Sequence, residues 1–153
     1  MGLDMYLYRK TYVQHWDHNK YNYEVAVTKA GKPTSIDPKR VTYIIEQVGY
    51  WRKANAIHKW LVNHVQDGKD DCGEYYFSPE NMEKLLNICN DVLADPSKAD
   101  QLLPTTSGFF FGGTEYDEYY LSDINQTVKI LQEALEDYNN GSDDSNYYYQ
   151  SSW

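Results

Sequence analysis

Cysteine, proline, basic residues and long apolar runs are all scarce in this chain, and each shortage removes a class of protein. Its 153 residues hold 2 Cys and 5 Pro. Cys72 and Cys89 could pair in principle, but two cysteines make no disulfide framework. Cys89 also falls on the apolar face of an expected helix, so both are read as free thiols in a reducing compartment. No apolar stretch approaches the ~20 residues of a membrane span. The opening Met1-Gly2-Leu3-Asp4-Met5 lacks a basic region followed by an apolar run, so no signal peptide is expected and the location is read as cytoplasmic. Lys and Arg number 14 against 23 Asp and Glu, a formal net charge of −9. That balance argues against gripping a nucleic acid backbone, which needs clustered cations, and against anionic membranes. Small ligands, basic protein surfaces and duplex mimicry remain open.

Catalytic signatures are absent as well. The chain has no G-x-S-x-G, H-E-x-x-H or kinase set, and neither G-x-G-x-x-G nor G-x-x-x-x-G-K. No catalytic residue and no cofactor is expected.

Aromatics are what the chain has in excess, with 16 Tyr, 4 Trp and 4 Phe. Tyr buries a ring while keeping a hydroxyl for hydrogen bonding, which suits a semi-polar core or a ligand-facing surface. The plainer alternative is that Tyr replaces Leu and Phe on strands, where aromatics are favoured anyway.

Periodicity predicts an α+β chain of one domain. Residues 2–8 alternate, with Leu3, Met5 and Leu7 on one face, as do residues Tyr21 to Thr28; the two read as an antiparallel pair. Residues 14–20 read as a polar loop. Lys29–Pro33 is a turn and Asp37-Pro38 a breaker. Arg40 to Val48, rich in β-branched residues, reads as a third strand, although 41/44/45/48 also fits a helix face. Gly49 is expected to separate it from the next element.

From about Arg52 the spacing of Ile57, Trp60, Leu61, His64 and Val65 is helical, with Asn55, Lys59, Asn63 and Gln66 on the polar side and Asp67-Gly68 as the stop. Ser78-Pro79-Glu80 starts a helix carrying Met82, Leu85, Leu86, Cys89 and Leu93, closed by Asp95-Pro96. Ser97 to Leu102 suggests a helical turn. Phe109–Phe111, between glycines, reads as a buried strand. A last helix carries Leu121, Ile124, Val128, Leu131, Leu135 and Tyr138, starting either at Thr114–Asp117 or at Ser122-Asp123. Tyr147 to Trp153 reads as a docked strand.

One stretch concentrates chemistry. Tyr50–Trp60 holds Trp51, Arg52, Lys53, Asn55 and His58 at an expected helix start, where backbone N–H groups also favour an anion. Those groups suit a phosphorylated, nucleotide-like ligand: Trp51 stacking, Arg52 and Lys53 on phosphate, Asn55 and His58 on polar edges. The competing reading makes Trp60 core, Arg52 and Lys53 solvated, and His58 a packing residue. Gly112-Gly113 followed by Thr114, Glu115, Tyr116 and Asp117 could admit a ligand against the backbone and meet its hydroxyls with carboxylates. A lone Gly-Gly also occurs in ordinary turns.

Other clusters are weaker. Asp67, Asp70, Asp71, Cys72 and Glu74 lack calcium-loop spacing. His15-Trp16-Asp17-His18 lacks further ligands, so no metal is expected. Cys72 matches no nucleophile loop, and its acidic neighbours oppose thiolate formation.

The opening Met1–Leu7, the Tyr50–Trp60 block, Asp70–Tyr76, Ser107–Tyr120 and the closing Tyr148–Trp153 resemble small uncharacterised proteins of phages and prophages. The resemblance spans nearly the whole chain and carries no activity or residue role. It implies a mobile-element protein acting in the bacterial cytosol.

The expected fold is therefore α+β, an antiparallel sheet packed against about three helices. The expected function is non-catalytic binding of a small nucleotide-like ligand, sequestering a host immune signal. An acidic inhibitor of a host defence protein and a small nucleotide-processing enzyme are the alternatives. Self-association is left open.

Overall fold

The computed structural model describes residues 2–14, 24–141 and 144–153. Alternation at the start of the chain produces β1, Asp4–Tyr12, which sends Met5 and Leu7 into the core and Asp4, Tyr6 and Tyr8 to the other side. The remaining strands are β2 (Thr28–Lys29), β3 (Lys32–Pro33), β4 (Tyr43–Arg52), β5 (Glu74–Tyr76) and β6 (Ser145–Ser152). The helices are α1 (Asn55–His64), α2 (Pro79–Ala94), the single turn α3 (Ala99–Leu102) and α4 (Glu118–Asn140), with 3-10 turns at Pro38–Arg40 and Pro96–Lys98. The fold is α+β, as the periodicity predicts.

The main sheet has four antiparallel strands in the order β4-β1-β6-β5. The strands nearest the two ends of the sequence are thus its two central strands. Leu3, Met5, Leu7, Trp51, Tyr147 and Tyr149 form its fully buried face. Against them pack Ile57 and Leu61 of α1, Met82, Leu85 and Cys89 of α2, and Ile124 and Leu131 of α4 in one core cluster.

The opposite face carries no helix and is paved with Tyr6, Tyr8, Tyr12, Tyr43, Tyr50, Tyr76 and Tyr148. Tyr6 stacks on Tyr8, and edge or tilted contacts join Tyr6–Tyr50, Tyr12–Tyr43 and Tyr76–Tyr148. Tyr suits that position because its ring covers the sheet while its hydroxyl stays in water. Lys10 lies over the Tyr148 ring and pairs with Glu74. The tyrosine excess is therefore split. Tyr120, Tyr147 and Tyr149 are core; most of those on the strands roof an open sheet face.

Helix boundaries follow their capping chemistry. Ser78 accepts a hydrogen bond from the Asn81 N–H and Pro79 occupies the first turn of α2. Asp117 accepts from the N–H groups of Tyr119 and Tyr120 and starts α4, so the helix begins in the earlier of its two expected regions, with Asp117 rather than Thr114 as the cap. Asp67 and Gly68, both at positive φ, end the run after α1.

Five expectations are corrected. Of the strand expected at Tyr21–Thr28, residues 21–23 lie outside the described residues. Glu24 to Val27 form no strand, and Thr28 belongs to the short hairpin β2–β3, whose turn places Ala30 and Gly31 at positive φ. The partners of β1 are β4 and β6.

Gly49 does not separate elements: it lies inside β4 opposite Leu7, beside a register shift at Leu7/Tyr8. A Cβ there would come within 2.6 Å of Ile130 Cγ2, so glycine lets α4 approach the sheet. Consequently Tyr50, Trp51 and Arg52 are strand residues, and α1 starts at Asn55.

Phe109–Phe111 is no buried strand. Phe109 is 93% exposed, and β6 occupies the sheet position beside β1 that the Phe run would have needed. The run is tied down through its backbone, Leu3 N–H donating to the Phe110 carbonyl at 3.1 Å. Finally, Asn55 and Gln66 are buried rather than on a polar helix face. Along α4 the buried set includes Thr127 and Ala134, while Tyr138, expected on the stripe, is exposed.

Candidate functional site

Where β4 ends, the chain turns sharply into α1 and meets the loop that leads into α4. Lys53 makes the corner at φ +59°, a left-handed conformation that non-glycine residues rarely adopt. Its N–H donates to the Leu3 carbonyl at 2.7 Å, and its own carbonyl accepts from the Asn55 N–H at 2.9 Å. Gly112, at φ +83°, packs on it so closely that a Cβ would stand 3.1 Å from Lys53 Cβ. Lys53 is thus the strained residue of the corner, and Gly112 takes its left-handed turn without that cost.

Asn55 fastens the two segments together. Its side-chain amide donates to the carbonyls of Phe111 (2.9 Å) and Gly113 (2.8 Å), and its Oδ1 accepts from the Thr106 N–H (3.0 Å). Thr105 adds a hydroxyl bond to the Thr114 carbonyl, and its N–H donates to the Tyr116 hydroxyl.

This joint encloses a partly open cleft of about 320 Å³. One wall is Arg52, Lys53 and the first turn of α1, where the N-cap residue Ala54 supplies no side-chain hydrogen bond. The other wall is Gly112, Gly113, Glu115 and the start of α4, with Asp117, Tyr119 and Asp123. The two stretches singled out in the sequence thus line one cavity.

Not every expected residue serves it. Arg52, Lys53, Glu115 and Asp117 line the cleft, and so does Asn55, whose side chain is fully engaged in the joint. Trp51 cannot stack on a ligand. The strand pleat turns it inward, where it is wholly buried and its indole N–H donates to Thr127 Oγ1 at 2.9 Å. Thr114 and Tyr116 do not line the cleft and serve the joint through Thr105.

His58 is buried elsewhere. Its Nε2 lies 3.0 Å from Asp70 Oδ2 and its Nδ1 2.6 Å from the Tyr149 hydroxyl, with Phe111 edge-on to the ring. Asp70 accepts a second bond from the Trp153 indole N–H, so this chain of contacts pins β6 to α1. Burial pushes the Tyr149 hydroxyl well above its ordinary pKa, with the Asp70 charge acting the same way. It stays protonated within this contact.

Two cleft residues carry no clear signal in the sequence. Tyr119 is 73% exposed at the rim and offers the ring that Trp51 does not. Asp123 reads in sequence only as an alternative helix start. Burial, and then the charge of Asp117, push its carboxyl up to about 6, and no hydrogen bond or ion pair to that carboxyl exists among the described residues. Its Ser-Asp context resembles an ordinary helix cap; only the end of the cleft next to Asp117 makes it unusual.

The acidic loop after α1 has structural partners. Asp71 accepts from Gly73 N–H and the Tyr75 hydroxyl, which hold its carboxyl below the usual range. Cys72 and Cys89 are free, and burial pushes the Cys89 thiol up to about 12. His15-Trp16-Asp17-His18 lies outside the described residues. Among the described residues no group of three or more His, Cys, Asp or Glu is placed to hold a metal, and no helix is long and apolar enough to cross a membrane.

Comparison with protein-family models, with characterised proteins and with solved structures gave no match.

Proposed function

We propose that this protein binds a small phosphorylated, nucleotide-like ligand in the cleft between β4–α1 and the start of α4, without turning it over. The observation that carries the reading is the polarity of that cleft. Arg52, Lys53 and an uncapped helix start face it from one side, and Glu115, Asp117 and Asp123 from the other. A phosphate suits the first wall, since N–H groups and cations both complement an anion. Ribose hydroxyls or an amino group suit the second, because carboxylates accept hydrogen bonds. Tyr119 adds a face for a base at the rim.

A volume of about 320 Å³ is at the small end of ligand sites and favours one nucleoside unit over two. The resemblance to phage proteins supplies the context, in which such binding sequesters a signal of the host.

The test is a thermal-shift panel of nucleoside mono- and diphosphates, ADP-ribose derivatives and cyclic dinucleotides, followed by calorimetry. One ligand class should bind, and Arg52→Ala with Lys53→Ala should weaken it at least tenfold while leaving the circular dichroism spectrum unchanged. Absence of binding by every member of the panel to folded protein refutes the reading.

A second reading, a nucleotide-processing enzyme, draws support from Asp123, whose carboxyl titrates near neutrality as a general acid or base must. It requires turnover of a bound ligand and its loss in Asp123→Asn.

A further inference from the structure

The sheet ends on one side in β4, whose first half carries little of the usual protection of an edge among the described residues. Among the described residues nothing pairs with the outer side of β4. Its first half is apolar on both faces: Tyr43 and Ile45 on the tyrosine face are 54% and 58% exposed, and Ile44 on the helix face is 43% exposed. Exposed strand edges are ordinarily blunted by lysine, proline, bulges or inward charges. Between Tyr43 and Gln47 the one charge is Glu46, which turns toward Arg9 of β1 at 3.6 Å. The register shift near Gly49 bounds the exposed segment on the other side.

Backbone parity shows which groups are free. Val13 N–H donates to the Thr42 carbonyl at 2.8 Å, and the pairing continues through Tyr12 opposite Tyr43 and Thr11 opposite Ile44. In an antiparallel pair alternate residues turn their N–H and C=O groups to the same neighbour. Thr42, Ile44 and Glu46 therefore turn theirs to β1, and Tyr43, Ile45 and Gln47 turn theirs outward.

We propose that this edge is a self-association surface, on which β4 pairs antiparallel with β4 of a second copy of the chain about a two-fold axis at Ile44. That register sets Tyr43 opposite Ile45 of the second copy, both with outward backbone groups, so each pair exchanges two hydrogen bonds. Ile44 meets Ile44, and Glu46 meets Thr42, so no like charges oppose. Centring on Ile45 would also satisfy the backbone but would set Ile44 against the Glu46 carboxylate. The opposite sheet edge, β5, has three residues, which leaves one long free edge per copy among the described residues. Pairing therefore closes at a dimer and builds no filament. The inference is independent of the cleft.

The test is the mass of the full chain by light scattering and sedimentation at roughly 1 to 300 μM, a range that brackets the affinity of small interfaces. A monomer of 17.9 kDa should give way to a dimer as concentration rises, more readily in high salt because the copies share a charge of −9. Ile45→Lys should remain monomeric with an unchanged circular dichroism spectrum. In a Cys72→Ser background, Ile44→Cys should form an intermolecular disulfide under mild oxidation and Ile45→Cys should not, since directly opposed non-hydrogen-bonded residues lie closest. Wild-type protein that stays monomeric, Ile45→Lys that dimerises as well as wild type, open-ended polymers, or cross-linking at Ile45→Cys instead of Ile44→Cys each overturns the proposal.

Discussion

Replacing Asp123 by Asn should stabilise this protein at neutral pH and do far less at pH 4. The carboxyl is half-withdrawn from water at the α4 end of the cleft. Burial and the neighbouring Asp117 raise its pKa from an ordinary 3.8 to about 6, and the cations across the cleft do not offset this. In the unfolded chain the carboxyl titrates near its ordinary value. Between pH 4 and 6 the native state therefore holds more protons than the unfolded state, and stability falls as pH rises through that window. Well above pH 6 both states are ionised and the whole penalty is present; well below pH 4 both are protonated and it vanishes.

A change from 3.8 to about 6 corresponds to an upper limit of about 3 kcal/mol. Water entering an open cleft screens the charge, so about 1 to 2 kcal/mol is expected. For a chain of this size that is a rise in Tm of roughly 3 to 8 °C. Urea unfolding of the wild type and Asp123→Asn, followed by circular dichroism at pH 4, 6 and 8, reads the difference directly. An equal or lower midpoint for Asp123→Asn at pH 8, or a gain of the same size at pH 4, would refute the reasoning.

Asn55→Ala removes three hydrogen bonds to the 105–113 loop and should cost about 1 to 3 kcal/mol; hydrogen exchange should localise the loosening to residues 105–113, with ligand binding lost. His58→Ala leaves the Tyr149 hydroxyl without its hydrogen-bond partner inside the core and should cost about 2 to 4 kcal/mol, measured by chemical unfolding. Deleting residues 145–153 removes a central strand, so circular dichroism should show a largely unfolded chain rather than a trimmed one.

The parts of the fold legible in the sequence are those whose signals are local. Ser78-Pro79, Asp67-Gly68 and the alternation of Leu3, Met5 and Leu7 each act within a few residues, and each shapes the element it predicts. The mismatches involve competition between distant segments. Phe109–Phe111 has strand composition, yet the place beside β1 goes to β6, whose Tyr147, Tyr149 and Ser151 fill the buried face. Gly49 has the composition of a break. Only the approach of Ile130, 81 positions further on, makes it a strand residue. Tyr138 keeps the helical spacing of α4 but lies near the end of that helix, where little remains to cover it.

The candidate site divides along the same line, and its division comes from one backbone feature. Had α1 begun at Arg52, Trp51 and Arg52 would both have been placed at its start. Because β4 instead runs to Arg52, neighbouring residues point to opposite faces of the sheet. Trp51 goes into the core and binds Thr127, and Arg52 goes out to the cleft wall. The strained corner at Lys53 then resets the direction of the chain, so that Asn55 can reach back to Phe111 and Gly113 while Lys53 lines the cleft. A composition of aromatic, cationic and amide groups in one short stretch thus resolves into an anchor, two charges and a clamp. The exposed ring at the cleft is that of Tyr119, on the other wall.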